Sequence, residues 1–414
     1  NDYKTDPEGT VTIVDIRNGT DSANAVVSQV DFKAFNNGNS RHSELDTKTR
    51  LTLPNGASVA QDLEPEYIAV TDAGKAYVSL QENNAVAIID IANKQVEKIV
   101  GLGEKSWASV ADGGQGYQLD LTNKDGIYHR QSYPQLVGLY MPDTISAFSV
   151  SGETYLITAN EGDGREYSYQ TTQQDCESQS YSWNGDDYTG TTNYSTEMDD
   201  CIAHTDEGRG KDLNVDSNHP LMNVSVYGVD GTVANKNAIG RVKVIMDNSN
   251  VAANENIKTF GARSFSIWDT SMNLVFDSGD DLAKYANTAV NFNTSNDNQE
   301  ADSRSDDKGI EPEAVEVAVV DGRTLAFIGL ERQGGIAMYD VSEPASAKFL
   351  DYINNRDFTV DVCTAVNSDS ECDNGVYNPQ VGDLGPESIE YIARKGKHFI
   401  AVGNEVSGTT TVFE

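Results

Sequence analysis

Apolar residues along this chain fall in short runs, alternating with polar ones or clustered, and Gly-, Asp- and Asn-containing breaks separate them. That is the pattern of strands rather than helices. In EPEYIAV-TDAG-KAYVSLQE, EPEAVEVAVV-DGR-TLAFIGLE and GPESIEYIA-RKG-KHFIAVGNE, two β-branched and aromatic runs flank a Gly-containing turn, which is a hairpin signal. A third run follows each hairpin (AVAIIDI, GIAMYDV and GTTTVF). Three or four antiparallel strands per repeated unit predict propeller blades. The expected fold class is all-β: a β-propeller of six or seven blades.

The same units carry a charge pattern. A Pro-acid pair opens the first strand and a second carboxylate ends the next strand 16 to 18 residues later: Glu66 with Glu82, Asp143 with Glu161, Glu313 with Glu331, and Glu387 with Glu405. A hairpin brings its two ends together, so each pair is expected side by side, and the propeller arrangement would ring all eight around one mouth of the central channel. Carboxylates at that density raise one another's pKa values unless cations sit among them. The ring therefore predicts an oxygen-ligated metal site, with calcium favoured and iron or another divalent metal as the alternative. The competing reading is that Pro-Glu merely starts strands and the acids are solvated.

A fifth unit, GARSFSIWDTSMNLVFDSGDD, has Arg263 where the opening acid would stand. Arg165 in NEGDGREY and Arg332 in LERQGG lie near the equivalent loops, as do Arg304 and Lys308. Arg165, Arg263 and Arg332 are candidates for gripping a phosphate or other oxyanion, or else counter-ions of the ring.

Charge and cysteines narrow the partners. Of 414 residues, 65 are Asp or Glu against 30 Lys or Arg, a net charge of −35, which disfavours nucleic acid and anionic membrane and favours divalent cations. No apolar run is long enough to span a bilayer, and no signal peptide is visible at Asn1. Cys176 and Cys201, and Cys363 and Cys372, form two close pairs in polar loops, predicting two disulfides and an oxidising location: secreted, extracellular or at the cell surface. The polar tract at 162–223, containing QSYSWNGDDYTGTTNYSTEMDD, reads as a disulfide-pinned insertion, a lid or contact surface, within a single domain spanning 1–414. The stretch NTSNDNQEADSRSDDKG is expected to form another loop, with calcium as one way of ordering it. Nucleophile elbows, zinc-protease helices, Walker loops and dinucleotide fingerprints are absent, so no catalytic residue is named.

The strings QDLEPEYIAV, LITANEGDGREY, GARSFSIWD, RSDDKGIEPEAVEV, FIGLERQGGIAMYDVSEP and VGNEVSGTTTVFE closely resemble the choice-of-anchor I family of secreted bacterial proteins. That family is similar to the mesenchyme-specific cell-surface glycoproteins of biomineralising animals and to alkaline-phosphatase-like propellers. The resemblance implies an exported β-propeller and leaves the reaction open. It also implies a blade or two upstream of NDYKTDPEGTVTIVDI, with VTIVDI expected to pair with the C-terminal blade.

Two functions follow. One is a calcium-dependent phosphoester hydrolase, with the carboxylates holding metal and the arginines facing phosphate. The other is a non-catalytic surface protein: an envelope layer, a self-assembling coat or a mineral-binding element.

Overall fold

The computed structural model describes residues 6–179, 181, 193–195, 200–366, 372 and 375–414. The chain divides into two compact units, one of residues 1–103 with 163–208 and one of residues 104–162 with 209–414. Most of the tract QSYSWNGDDYTGTTNYSTEMDD, read above as a lid or contact surface, lies outside the described residues.

In the first unit, strands Ile68–Val70, Lys75–Leu80, Ala85–Asp90 and Gln95–Gly101 form a four-stranded antiparallel meander, the Pro65 blade. Val78, Ala87, Ile89 and Ile99 are fully buried against Phe32, Phe35 and Leu63. The strand in VTIVDI, Thr10–Asp15, pairs antiparallel with Val26–Asp31 as a separate hairpin, with Val14 opposite Val27. This corrects the expectation that it joins the C-terminal blade: a nearby partner strand closes a shorter loop, and loop closure favours it. Glu166–Gln170, Asp200–Thr205 and Tyr194–Ser195 make a small sheet pinned by the Cys176–Cys201 disulfide. The Cys363–Cys372 disulfide, in the second unit, is also formed.

In the second unit, three more sheets follow the blade plan. The Pro142 blade contains Ile145–Val150, Glu153–Asn160, Ser264–Asp269 and Leu274–Asp277. The Pro312 blade contains Pro312–Val320, Arg323–Leu330, Ile336–Asp340 and Lys348–Ile353, and the Pro386 blade contains Pro386–Arg394, Lys397–Asn404 and Thr409–Phe413. Two-residue turns join the first two strands of each. In the Pro312 blade, Asp321 (φ 51°) and Gly322 (φ 80°) supply the paired positive φ values that a twisted hairpin requires.

Alternation along one strand explains the stacking. Ala326, Ile328 and Leu330 pack with Ile157, Phe265 and Ile267 of the Pro142 blade. Leu325 and Phe327 pack with Ile400 and Val402 of the Pro386 blade. A sheet buried on both faces, with the first strands of the three blades side by side, is the propeller arrangement. The fold class is thus all-β, of propeller type.

The Arg263 segment does not open a fifth blade. Its strand, Ser264–Asp269, pairs with Glu153–Asn160, with Asn160 opposite Ser264, and is the third strand of the Pro142 blade. The chain between them makes the excursion that holds the expected insertion. Its ends are pinched where a Cβ on Gly162 would lie 2.0 Å from Gly261 N.

Candidate functional site

The backbone of each hairpin places the two acids as the spacing predicts. Pro312 lies opposite Leu330, and the Glu331 N–H donates to the Glu311 carbonyl at 2.8 Å. Pro386 lies opposite Asn404, with Glu405 N–H on the Gly385 carbonyl at 2.7 Å. In the Pro142 blade, the Asp143 N–H reaches the Ala159 carbonyl at 3.1 Å, two residues before Glu161.

Because the three blades of the second unit are neighbours, their strand ends bring Asp143, Glu161, Glu313, Glu331 and Glu387 into mutual electrostatic reach. Burial, then the charges of Glu331 and Glu161 and a hydrogen bond with Glu387, push the Glu313 carboxyl up to about 12. Burial and the Glu161 and Glu387 charges push Asp143 to about 8, and burial with Glu311 pushes Glu331 to about 8. Glu313 Oε2 is buried without a hydrogen-bond partner. Glu405 is solvent-exposed, while Glu66 and Glu82 belong to the first unit.

Glu311, the acid before the proline, escaped the spacing argument and is the most buried of the group at 0% side-chain exposure. Burial alone would raise its pKa, but Arg304, Lys308 and Arg332 hold it well below the usual carboxylate range. Arg304 meets Glu311 Oε1 at 2.7 Å, and Lys308 Nζ bridges Glu161 Oε1 (2.5 Å) and Glu311 Oε2 (3.1 Å). Arg332 Nε reaches Glu331 Oε2 at 3.2 Å, and Asn296 Nδ2 donates to Glu331 Oε1 at 3.0 Å. Oxygens of Glu161, Glu311 and Glu331 lie within 4.8 Å of one another, close enough to share one cation. These three and their neighbours offer carboxylate oxygens, a donor set that suits hard, calcium-class ions better than zinc or copper.

The other two arginines serve elsewhere. Arg165 is 1% exposed in the first unit, bonded to Asp62 Oδ1 at 3.0 Å and to the Asp62 carbonyl at 2.8 Å. Its Nε approaches Glu64 Oε1 at 3.3 Å. Arg263 is buried and donates to the carbonyls of Asp120, Ser305 and Asp307. Of the three candidates, only Arg332 touches the carboxylate cluster.

The first unit holds a smaller counterpart. A cavity of about 550 Å³ is lined by Asp6, Glu64, Glu82, Asp163, Arg165 and Tyr167 among others. Burial, followed by the Glu64 charge, pushes Glu82 to about 8, and its Oε2 is an orphaned acceptor. The spacing of acids after proline passes over Glu64 and Glu311; the sequence signal that would have marked them is a repeated Glu-Pro-Glu triplet, at 64–66 and 311–313.

Among the described residues, no helix is long and apolar enough to cross a membrane. The chain is 28% identical over 361 residues to a mesenchyme-specific cell surface glycoprotein of Strongylocentrotus purpuratus, covering 79% of this chain and 42% of that protein. It is 26% identical over 177 residues to Gigasin-3a of Magallana gigas, covering 38% and 57% respectively. It therefore spans about half the length of these relatives. A solved hydrazine synthase from Kuenenia stuttgartiensis aligns over 86% of this chain and 85% of its own, at 13% identity and a TM-score of 0.23. The RRP9 WD40 repeats align over 84% and 78%, at 8% identity and a TM-score of 0.22. The fold assignment rests on the sheet topology, to which such low scores add nothing. The choice-of-anchor I domain matches residues 1–344, most of the chain, and the protein belongs to that family.

Proposed function

We propose that this is an extracellular surface propeller in which Asp143, Glu161, Glu313, Glu331 and Glu387 hold a calcium-class cation, and that it works by binding or assembly rather than by breaking bonds. One observation carries the reading. Oxygens of Glu161, Glu311 and Glu331, drawn from two blades, lie within 4.8 Å of one another and Glu313 Oε2 is buried without a hydrogen-bond partner, while burial and adjacent carboxylates raise Asp143 and Glu313 so that they favour holding protons. A bound cation would take over from those protons and tie three strand ends together. The two disulfides and the family membership agree with an extracellular or surface location, and the sea-urchin relative is named as a cell-surface protein.

A metal-dependent phosphoester hydrolase is the second reading, favoured by Arg332, whose side chain is 26% exposed beside Glu331. Against it, the guanidinium is already engaged by Glu311, Glu331 and Asn296, which leaves less of it to grip phosphate. Assay of phosphomonoester and phosphodiester hydrolysis, with calcium and iron quantified in the same sample, separates the two. Stoichiometric calcium without turnover is the expected result. Turnover that a chelator abolishes and calcium restores would establish the hydrolase instead.

A further inference from the structure

The cavity in the first unit has walls of one charge. Arg165 and Tyr167 apart, its titratable lining residues are all carboxylic acids, and of these Asp6 and Glu64 are half-buried and Glu82 is buried. Arg165 does not balance them. Its terminal nitrogens are taken by Thr52, by Asp62 Oδ1 at 3.0 Å and by the Asp62 carbonyl at 2.8 Å, and Nε alone turns to Glu64, at 3.3 Å. The Tyr167 hydroxyl lies 2.8 Å from Asp6 Oδ2 and 2.5 Å from Glu64 Oε1, but it has one proton to donate, and both neighbours are acceptors when ionised. Glu82 is 9% exposed, and its Oε2 is buried with no hydrogen-bond partner. Burial is the first cause that raises Asp6 to about 6 and Glu82 to about 8.

These walls are fixed in place. The Gly9 N–H donates to the Ala60 carbonyl at 2.7 Å and Gln61 Nε2 to the Asp6 carbonyl at 2.8 Å, which holds the 6–9 segment against the short helix Val59–Asp62. A Cβ on Gly9 would lie 2.0 Å from the Leu63 carbonyl oxygen, an approach that only glycine allows.

We propose that this cavity binds a primary ammonium group carried on an apolar stem, as in a free diamine or a lysine side chain, with Glu82, Glu64 and Asp6 receiving the ammonium. An ammonium has three donors and no acceptor, which suits an orphaned carboxylate oxygen beside two carboxylates that share one hydroxyl proton. The volume of about 550 Å³ is that of a small-molecule site, and Pro7, Leu63 and Pro65 supply apolar wall for the stem. A bare metal ion fits less well. Among the described residues, the three acids whose oxygens gather within 4.8 Å of one another are Glu161, Glu311 and Glu331, whereas the acids of this cavity surround a wider space. The carboxylate ring belongs to the second unit, so this site stands or falls separately from it.

Calorimetric titration of the whole protein with cadaverine and with Nα-acetyl-lysine methylamide tests this, in chelator and in saturating calcium, with tetramethylammonium as a cation that lacks N–H donors. One amine per chain is expected to bind in both conditions. Glu82→Gln, which keeps the shape of the acid, and Asp6→Asn are each expected to weaken it about tenfold or more while circular dichroism is unchanged. Asp6 is only half-buried, so Asp6→Asn decides the matter if Glu82→Gln fails to fold. Tighter binding of cadaverine would identify a free amine as the ligand, and tighter binding of the lysine derivative a protein side chain. No amine uptake, or unchanged affinity in the folded variants, would overturn the proposal. So would equal binding of tetramethylammonium, which would reduce the effect to the pull of a chain with a net charge of −35. Amine binding that calcium abolishes would also overturn it and give the cavity to metal, whereas absence of calcium uptake with amine binding intact would overturn the ring reading and leave this site standing.

Discussion

At Glu313 the physical chemistry makes an unusual demand: a carboxyl at the start of a strand that stays protonated through neutral pH. Glutamine matches that neutral form in shape, so Glu313→Gln is expected to change metal-free stability by less than about 1 kcal/mol while weakening calcium binding. Thermal melts in chelator and in calcium check both halves, and equal calcium stabilisation of variant and parent would remove Glu313 from the ligand set. Lys308 is the opposite case, a 3% exposed ammonium between Glu161 and Glu311. Lys308→Met leaves those carboxylates facing each other and is expected to cost about 3–5 kcal/mol in denaturant unfolding. The acids that follow proline were legible because one spacing recurs four times. Glu311 was not, since an acid before proline reads as a solvated loop residue until three cations from the 304–308 turn and Arg332 are seen to close on it.

Individual elements show where reading along the chain stops. The hairpins were legible because each is local: alternation fixes the buried face and a Gly-containing turn fixes the register. The Arg263 strand was misassigned because its partner, Glu153–Asn160, precedes it by about a hundred residues, and alternation records which face is buried but not which strand lies alongside. The excursion between them leaves and returns through Gly162 (φ 86°) and Gly261 (φ 67°): a side chain on Gly162 would meet the Gly261 backbone, and one on Gly261 would meet the Glu161 carbonyl. Gly162→Ala is expected to destabilise the second unit by about 2–4 kcal/mol, measured by thermal or denaturant unfolding. Breaking the Cys176–Cys201 disulfide should act locally. Hydrogen exchange is expected to quicken in Glu166–Gln170 and Asp200–Thr205 while the Pro312 blade keeps its protection.

For the whole molecule, the raised carboxyl groups make stability depend on pH and metal together. Asp143, Glu331 and Glu82 each titrate near 8 when folded, against ordinary carboxylate values when unfolded. An acid with a raised folded pKa contributes stability that is complete below its unfolded pKa and lost as pH rises through the folded one. Metal-free protein is therefore expected to grow less stable from about pH 4 to pH 8, by up to ~1.4 kcal/mol per pH unit for each such group. Saturating calcium should flatten that slope, and melting curves across this range with and without calcium test it. An identical slope in both conditions would mean that no cation replaces the protons. Much of this protein follows from sequence alone: the strand class, the blade repeat, the paired cysteines and the recurrence of acids at strand ends, all set by local periodicity and turn chemistry. Tertiary structure decided which strands share a sheet, which acids converge and which cations neutralise them. Those outcomes depend on blades separated in sequence by up to a few hundred residues coming side by side, and on the burial that then turns a charge into a cost.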